Sequence, residues 1–324
     1  MRRVSLITGT LVLILVVGVL IGLALGPVKL DIHQLISALL SVDDHTARVV
    51  VWDLRMPRVA AALLVGACLG LSGCLLQSST RNPLGDPQLF GLGGGAAIIQ
   101  ALAMAGLLPL ASWGLLSVSV AASLIGAAAI AFFASRQGIS PARLALIGVS
   151  LSALTAAAAT GILAEARIFS AQPLNFIGGS FSNMAWQDVL PALVFFSIGT
   201  VLALSVAGKL HVLVLGDSLA ANLGAEPVRT RTVAVVSAGI LGGTAVAIAG
   251  LVGFVGLMVP HLARLALGHD FRTIMFVSIP LGAAVTLYAD QVARLAFMPS
   301  EVPVGLVTAL LGAPLMIYVA RRVL

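Results

Sequence analysis

Arg55 and Arg58 bracket Met56-Pro57 in the stretch Asp53-Leu-Arg-Met-Pro-Arg-Val-Ala-Ala-Ala-Leu-Leu-Val-Gly-Ala-Cys-Leu-Gly, at the mouth of an apolar run. Three residues apart, they share one side of a helix start. A cation at that position opposes the helix dipole. Asp53 is placed to cap the helix, and Pro57 suits its first turn. Two chemistries fit the pair. Long arginine stems snorkel from an apolar segment toward an interface, with Asp53 as counter-ion. Alternatively the two guanidiniums form a docking site for an acidic partner.

Catalytic chemistry has little to stand on. There is no His-Glu-x-x-His and no Walker A sequence. Gly91-Leu-Gly-Gly-Gly-Ala looks like a dinucleotide fingerprint, but it opens an apolar run without a preceding βα pattern, so it reads as helix packing. Ser180 and His261 fall on opposite sides of the predicted membrane, which argues against a shared serine-hydrolase site. The five histidines are scattered, against a metal site. Cys68 and Cys74, six residues apart on one helix, face different directions and read as packing residues. No cofactor is implied.

The elements that must position any site are membrane spans. The 324 residues are 60% hydrophobic and 9% charged, with a mean hydropathy of +1.11. A soluble domain carries about 25% charged residues, so the chain is a polytopic membrane protein. Apolar runs of spanning length lie at about 5–27, 56–77, 89–109, 114–134, 144–164, 188–206, 233–249, 251–268, 273–293 and 304–320. The seventh and eighth are also readable as one long span. With Arg2 and Arg3 inside, ten spans put twelve of the 18 Lys and Arg inside and six outside. That is the positive-inside pattern, and it accounts for the net charge of +6 without a nucleic-acid patch. Both termini are then cytoplasmic, and Arg55 and Arg58 face outward.

Four loops interrupt the apolar text. Thr80–Pro87, "TRNPLGDP", and Gly138–Leu144, "GISPARL", read either as tight turns or as irregular backbone lining a pathway. In the inner loop 214–231, Ser218 or Asp217 can cap a short helix through Ala221 to Leu223, ended by Gly224 and then Pro227. Such a helix suits contact with a soluble partner. The stretch 169–186 has helical length and can lie along the outer mouth.

The stretches "LRMPR", "GLSGCLLQ", "RNPLGDP", "LGDSLAANLG", "GLVGFVGLMVPHLAR", "ADQVAR" and "EVPVGLVTALLGAP" together resemble the FecCD family, the permease subunits of type II ABC importers for iron–siderophore, haem and cobalamin uptake. The resemblance implies an all-α membrane fold of about ten transmembrane helices, forming a single permease domain over 1–324. It implies a second permease copy or paralogue, two cytoplasmic ABC ATPase subunits, a periplasmic substrate-binding protein and a metal-chelate substrate, foremost a ferric siderophore. It implies a multi-pass protein of the bacterial inner membrane that is not itself an enzyme.

Residue by residue, it implies that Arg55, Arg58 and Arg294 dock acidic residues of the binding protein, with Asp290 holding or partly neutralising Arg294. Asp217, Ser218, Leu219, Ala220, Ala221 and Gly224 would seat the ATPase; the Glu of the related Glu-Ala-Ala motif is absent. Asn82, Pro83 and Leu84, with Pro141 and Ala142, would form the cytoplasmic gate, although Pro141 departs from the small polar residue expected there. A secondary transporter is disfavoured, because the span interiors are almost free of acids. On this reading a double charge reversal at Arg55 and Arg58 leaves insertion intact and abolishes docking.

Overall fold

The computed structural model describes residues 2–28, 30–40, 45–135, 140–166, 172–213, 216–268, 270–296, 298 and 300–323, with backbone only at 2–5, 172–174, 320, 322 and 323. Gly138 and Val214, at the edges of two loops singled out above, lie outside them. The helices are α1 (Arg2–Ala24), α2 (Ile32–Leu40), α3 (His45–Val49), α4 (Met56–Thr80), α5 (Gly94–Met104), α6 (Ser112–Ser135), α7 (Pro141–Glu165), α8 (Gln172–Gly178), α9 (Trp186–Leu213), α10 (Asp217–Asn222), α11 (Pro227–Ala249), α12 (Val255–Leu267), α13 (Phe271–Leu295) and α14 (Val304–Val323). Among the described residues there is no strand.

Each of the ten expected spans has its helix: α1, α4, α5, α6, α7, α9, α11, α12, α13 and α14. Seven of the helical stretches are long and apolar enough to cross a bilayer, while α5, α12 and α14 carry shorter apolar runs. The doubtful seventh and eighth spans are two helices. They part at Gly250, whose φ of 71° and close approach to the Phe176 carbonyl only glycine tolerates. The third span is shorter than its apolar text, because turns occupy the residues before Gly94.

One expectation is corrected. Span two does not begin near residue 56. Helix runs from His45 to Thr80, passing through a π-helical turn over Val50–Arg55. Pro57 has no N–H to donate, and the wider turn just before it accommodates the ring. Arg55 and Arg58 therefore lie inside a continuous helix, where no helix N-terminus opposes their charge.

The long helix α4 is the centre of the fold, packed against α13, α11, α12 and α9. Small residues let the backbones close in. A Cβ on Gly66 would stand 2.2 Å from the Gly282 carbonyl oxygen, and one on Gly73 would stand 1.9 Å from that of Gly256. Gly73→Ala must therefore push α4 from α12, at about 1–3 kcal/mol by the usual cost of overpacking. Thermal unfolding in detergent should show a clear drop in Tm for Gly73→Ala and none for Gly9→Ala, which has open space around it. Around this core, Leu6 and Leu13 on α1 and Leu146 and Leu154 on α7 are exposed, as surfaces in contact with lipid are.

Candidate functional site

Charged side chains gather at the two ends of α4. Residues 58 and 81 are separated by roughly 34 Å along a helix of ordinary rise, close to the thickness of a bilayer core.

At the first end, Arg58 is the hub. Its Nε lies 3.0 Å and its Nη2 2.8 Å from the Asp290 carboxylate, a two-pronged contact. Its Nη1 and Nη2 also donate to Glu301, at 2.8 and 3.0 Å. The Ser182 hydroxyl donates to Glu301 at 2.9 Å. The side chains of Arg58 and Asp290 are 11% and 2% exposed, while Glu301 keeps 31%. Burial works against the Glu301 carboxylate, but the bonds and charge of Arg58, the Ser182 hydroxyl and the charge of Arg294 outweigh it, holding it below the usual carboxylate range.

Arg55 is buried and turned elsewhere. It donates to the carbonyls of Leu23, Ala24 and Val28, so it satisfies the last turn of α1, whose carbonyls have no partner within their own helix, and ties down the chain just beyond it. Arg294 is buried too. It donates to the Gly22 carbonyl at 3.2 Å, and its Nε has no partner. The three arginines expected to act together do converge. Arg55 and Arg294, however, face the end of α1. Asp290 bonds to Arg58 and reaches Arg294 by its charge alone, because α4 and α13 pack closely enough for its carboxylate to meet Arg58 from the side. Asp53 is exposed and makes no helix cap.

At the other end, α10 forms within the expected inner loop. Its N-cap is Gly216, without a side-chain bond, so neither Ser218 nor Asp217 caps it. The Asp217 carboxylate instead accepts from Arg231 at 2.9 and 2.6 Å and from Arg81. Burial opposes this carboxylate as well, but bonds and charge from Arg231 and Arg81 prevail and lower its pKa. Arg81 also donates to the Leu213 carbonyl at 2.7 Å, and Arg231 to the Ser79 carbonyl at 3.1 Å. The ends of α4 and α9 and the starts of α10 and α11 are thereby tied together. Ala220 is fully buried with Leu213 and Ala225, while Leu219 and Leu223 are exposed, as are Ser218 and Ala221. Gly224, at φ 81°, follows the end of α10 in the left-handed region.

The loop after Arg81 meets the start of α7. The Asn82 amide donates to the Pro141 carbonyl at 3.4 Å, and its Oδ1 accepts from the Leu84 amide at 2.9 Å. Asn82 is buried, whereas Pro83, Leu84, Pro141 and Ala142 are exposed. Two separately inferred loops thus touch. Sequence reasoning passed over Glu301, Ser182, Arg81 and Arg231. Glu301 opens a quoted motif, and Arg81 immediately precedes Asn82-Pro83-Leu84, but their partners lie 243 and 136 residues away.

The sequence profile of the FecCD transport family matches residues 14–322. The iron(3+)-hydroxamate import system permease protein FhuB of Bacillus subtilis (strain 168) is 36% identical over 313 residues, 95% of this chain and 81% of that protein. The vitamin B12 import system permease protein BtuC of Yersinia enterocolitica is 36% identical over 318 residues, 97% of this chain and 92% of that protein. A solved inward-facing conformation of an ABC transporter assigned to the metal-chelate type matches with a TM-score of 0.84 at 29% identity, covering 98% of this chain and 99% of that one. With the profile and relatives of such coverage joined to an all-helical, multi-pass architecture, the chain belongs to the FecCD transport family and is a transport permease, not an enzyme.

Proposed function

We infer that the protein is the permease subunit of an ABC importer that carries a metal chelate, foremost a ferric siderophore, from a periplasmic binding protein into the cytoplasm. The observation that carries this reading is the pair of charged clusters capping α4, one suited to each soluble partner. On this reading the Arg58–Glu301 edge faces the acidic lobes of the binding protein, supported from beneath by Arg55 and Arg294. The exposed face of α10, with Leu219, Leu223 and Gly224, seats one of two ATPase subunits. Asn82, Pro83, Leu84, Pro141 and Ala142 gate the inner mouth, beside a second permease subunit. The protein lies in the bacterial inner membrane with both termini cytoplasmic.

Cobalamin is the second reading, favoured by an identity to the vitamin B12 permease equal to that to the hydroxamate permease. The test is uptake into proteoliposomes holding this chain with its ATPase, permease partner and binding protein. ATP-dependent accumulation of a ferric hydroxamate is expected. Accumulation of cobalamin alone would select the second reading, and accumulation of neither would remove both. Sidedness is tested by cysteine labelling in cells. Ala220, a natural probe of the inner loop from sequence, is fully buried; Leu223→Cys is the exposed choice. It should resist an impermeant maleimide from outside, while Gln187→Cys at the start of α9 reacts. The reverse pattern would invert the topology.

A further inference from the structure

A cavity of about 330 Å³ opens at the Arg81 end of α4, between that helix, the last turns of α12 and the first turns of α13. Its polar lining residues are Gln77, Ser78, Arg81 and Arg264, with no carboxylate among them. Arg264 and Arg81 bring guanidiniums to it, and Ser78 brings a hydroxyl that bonds to nothing among the described residues. Arg264 is fixed in place. Gln77 donates its amide to the Gly256 and Leu257 carbonyls, at 3.3 and 3.1 Å, which turns its Oε1 toward Arg264. His261 is no second acceptor. Its Nδ1 lies 2.9 Å from the Leu257 carbonyl, a contact that needs the proton on that nitrogen, so the 3.4 Å approach of Arg264 is not a bond.

The charges here do not balance. Arg81 and Arg231 share the single carboxylate of Asp217. Arg264 has no carboxylate within ion-pair distance among the described residues. Three guanidiniums thus face one acid, and the unmatched charge borders an open cavity. The remaining wall is apolar, with Phe271 and Ile274, and Leu265 and Phe276 are exposed nearby on the same helices.

We propose that this cavity binds a phosphate group, carried by a phospholipid headgroup or free in solution. A carboxylate has two oxygens, and Asp217 already spends both on Arg81 and Arg231. A phosphate has enough oxygens to take two guanidiniums and a hydroxyl together. Basic pockets between transmembrane helices are where anionic headgroups seat, and the apolar wall suits the glycerol and acyl stem behind such a headgroup. The seat adjoins Arg81, so an occupant bears on the same residue that holds Asp217 and precedes Asn82.

The test uses the purified full chain in a sugar-headgroup detergent that contains no phosphate. Phosphatidylglycerol and inorganic phosphate are added separately, with Tm and, by native mass spectrometry, retained lipid as readouts. Phosphatidylglycerol should raise Tm and leave one lipid bound per chain. Arg264→Gln should weaken that binding about tenfold, as expected for a lost bond to a charged group. Ser78→Ala should weaken it several-fold without changing the Tm of the unliganded protein, so the test survives if Arg264→Gln folds poorly. A response to lipid alone identifies a headgroup site, and a response to inorganic phosphate as well identifies a general phosphate site. No response, or one that both variants retain in full, overturns the proposal. So does the assembled importer, if Ser78→Cys, in a Cys68→Ala, Cys74→Ala background, forms a disulfide under an added oxidant with a cysteine placed on the facing surface of an ATPase subunit and lipid is excluded, because the cavity is then a protein-docking seat.

Discussion

Replacing Arg58 with glutamine is expected to destabilise the protein by about 3–5 kcal/mol, the usual cost of removing one member of a buried ion pair. Asp290 is 2% exposed and takes two bonds from Arg58, so the variant leaves a desolvated carboxylate without them. Thermal unfolding in detergent is the readout. Adding Asp290→Asn to Arg58→Gln should recover part of the loss, because the double variant strands no charge. An unchanged Tm in Arg58→Gln would show that the contact is dispensable. The same geometry revises the charge-reversal experiment that sequence alone suggests. A glutamate at 58 would face Asp290 and Glu301, and one at 55 would face the carbonyls that end α1. Loss of folding, and not a clean loss of docking, is the expected result.

Docking is better tested at Glu301, the exposed member of the cluster. Glu301→Gln keeps the Arg58–Asp290 pair and removes the inner competitor for the outward edge of Arg58. The affinity of an acidic binding protein should rise, most clearly at low salt, and an unchanged affinity would count against docking at this edge. The pH dependence has a definite sign. The folded pKa of Glu301 is lowered, so its stabilising contribution is complete above the unfolded value of about 4.3 and is lost as pH falls through the folded value. Glu301→Gln should lack that part of the acid sensitivity.

The second large effect is expected at Asp217, and it should fall on transport and not on stability. The Asp217 side chain is 47% exposed, and exposed ion pairs contribute only about 0–1 kcal/mol. Asp217→Ala should therefore fold and insert normally. Its carboxylate nonetheless joins α10 to Arg81 and, through Arg231, to Ser79, both just before the proposed gate residues Asn82, Pro83 and Leu84. If α10 seats an ATPase as proposed, its movement has no rigid path to Asn82 once that carboxylate is gone. Uptake in proteoliposomes should fall by more than an order of magnitude, taking the upper part of the ordinary 1–3 kcal/mol range of coupling energies, while ATP hydrolysis continues. Arg81→Gln should share this phenotype. Gly224→Val should approach it by another route, since Gly224 has open space around it and only its φ of 81° opposes a side chain. Uptake near wild type in Asp217→Ala would remove Asp217 from the coupling path.

Hydropathy and composition by themselves determined the membrane class, the approximate places of the apolar spans and the abundance of small residues along them. These are legible because spanning a bilayer demands long apolar runs and internally satisfied backbone, which leave marks on local sequence. The stop at Gly224 and the break near Gly250 are local for the same reason, since each needs a backbone that favours glycine. The family motifs also stood in the text, as did the loops that hold Asn82 and Asp217.

Tertiary structure alone decided which of these residues meet. Hydropathy marks α4 and α7 alike as apolar spans, yet α4 is enclosed by four helices and α7 is largely exposed, because lipid and protein interior are equally apolar surroundings. Arg55 and Arg58 differ by three positions, but one caps α1 and the other holds Asp290 and Glu301. That division depends on the π-helical turn before Pro57 and on how α1 and α13 pack against α4. Charged partners are selected by close backbone approach between distant small residues, such as Gly66 and Gly282. A guanidinium reaches whichever acceptor that approach brings within a few ångströms, and no local pattern records the distance.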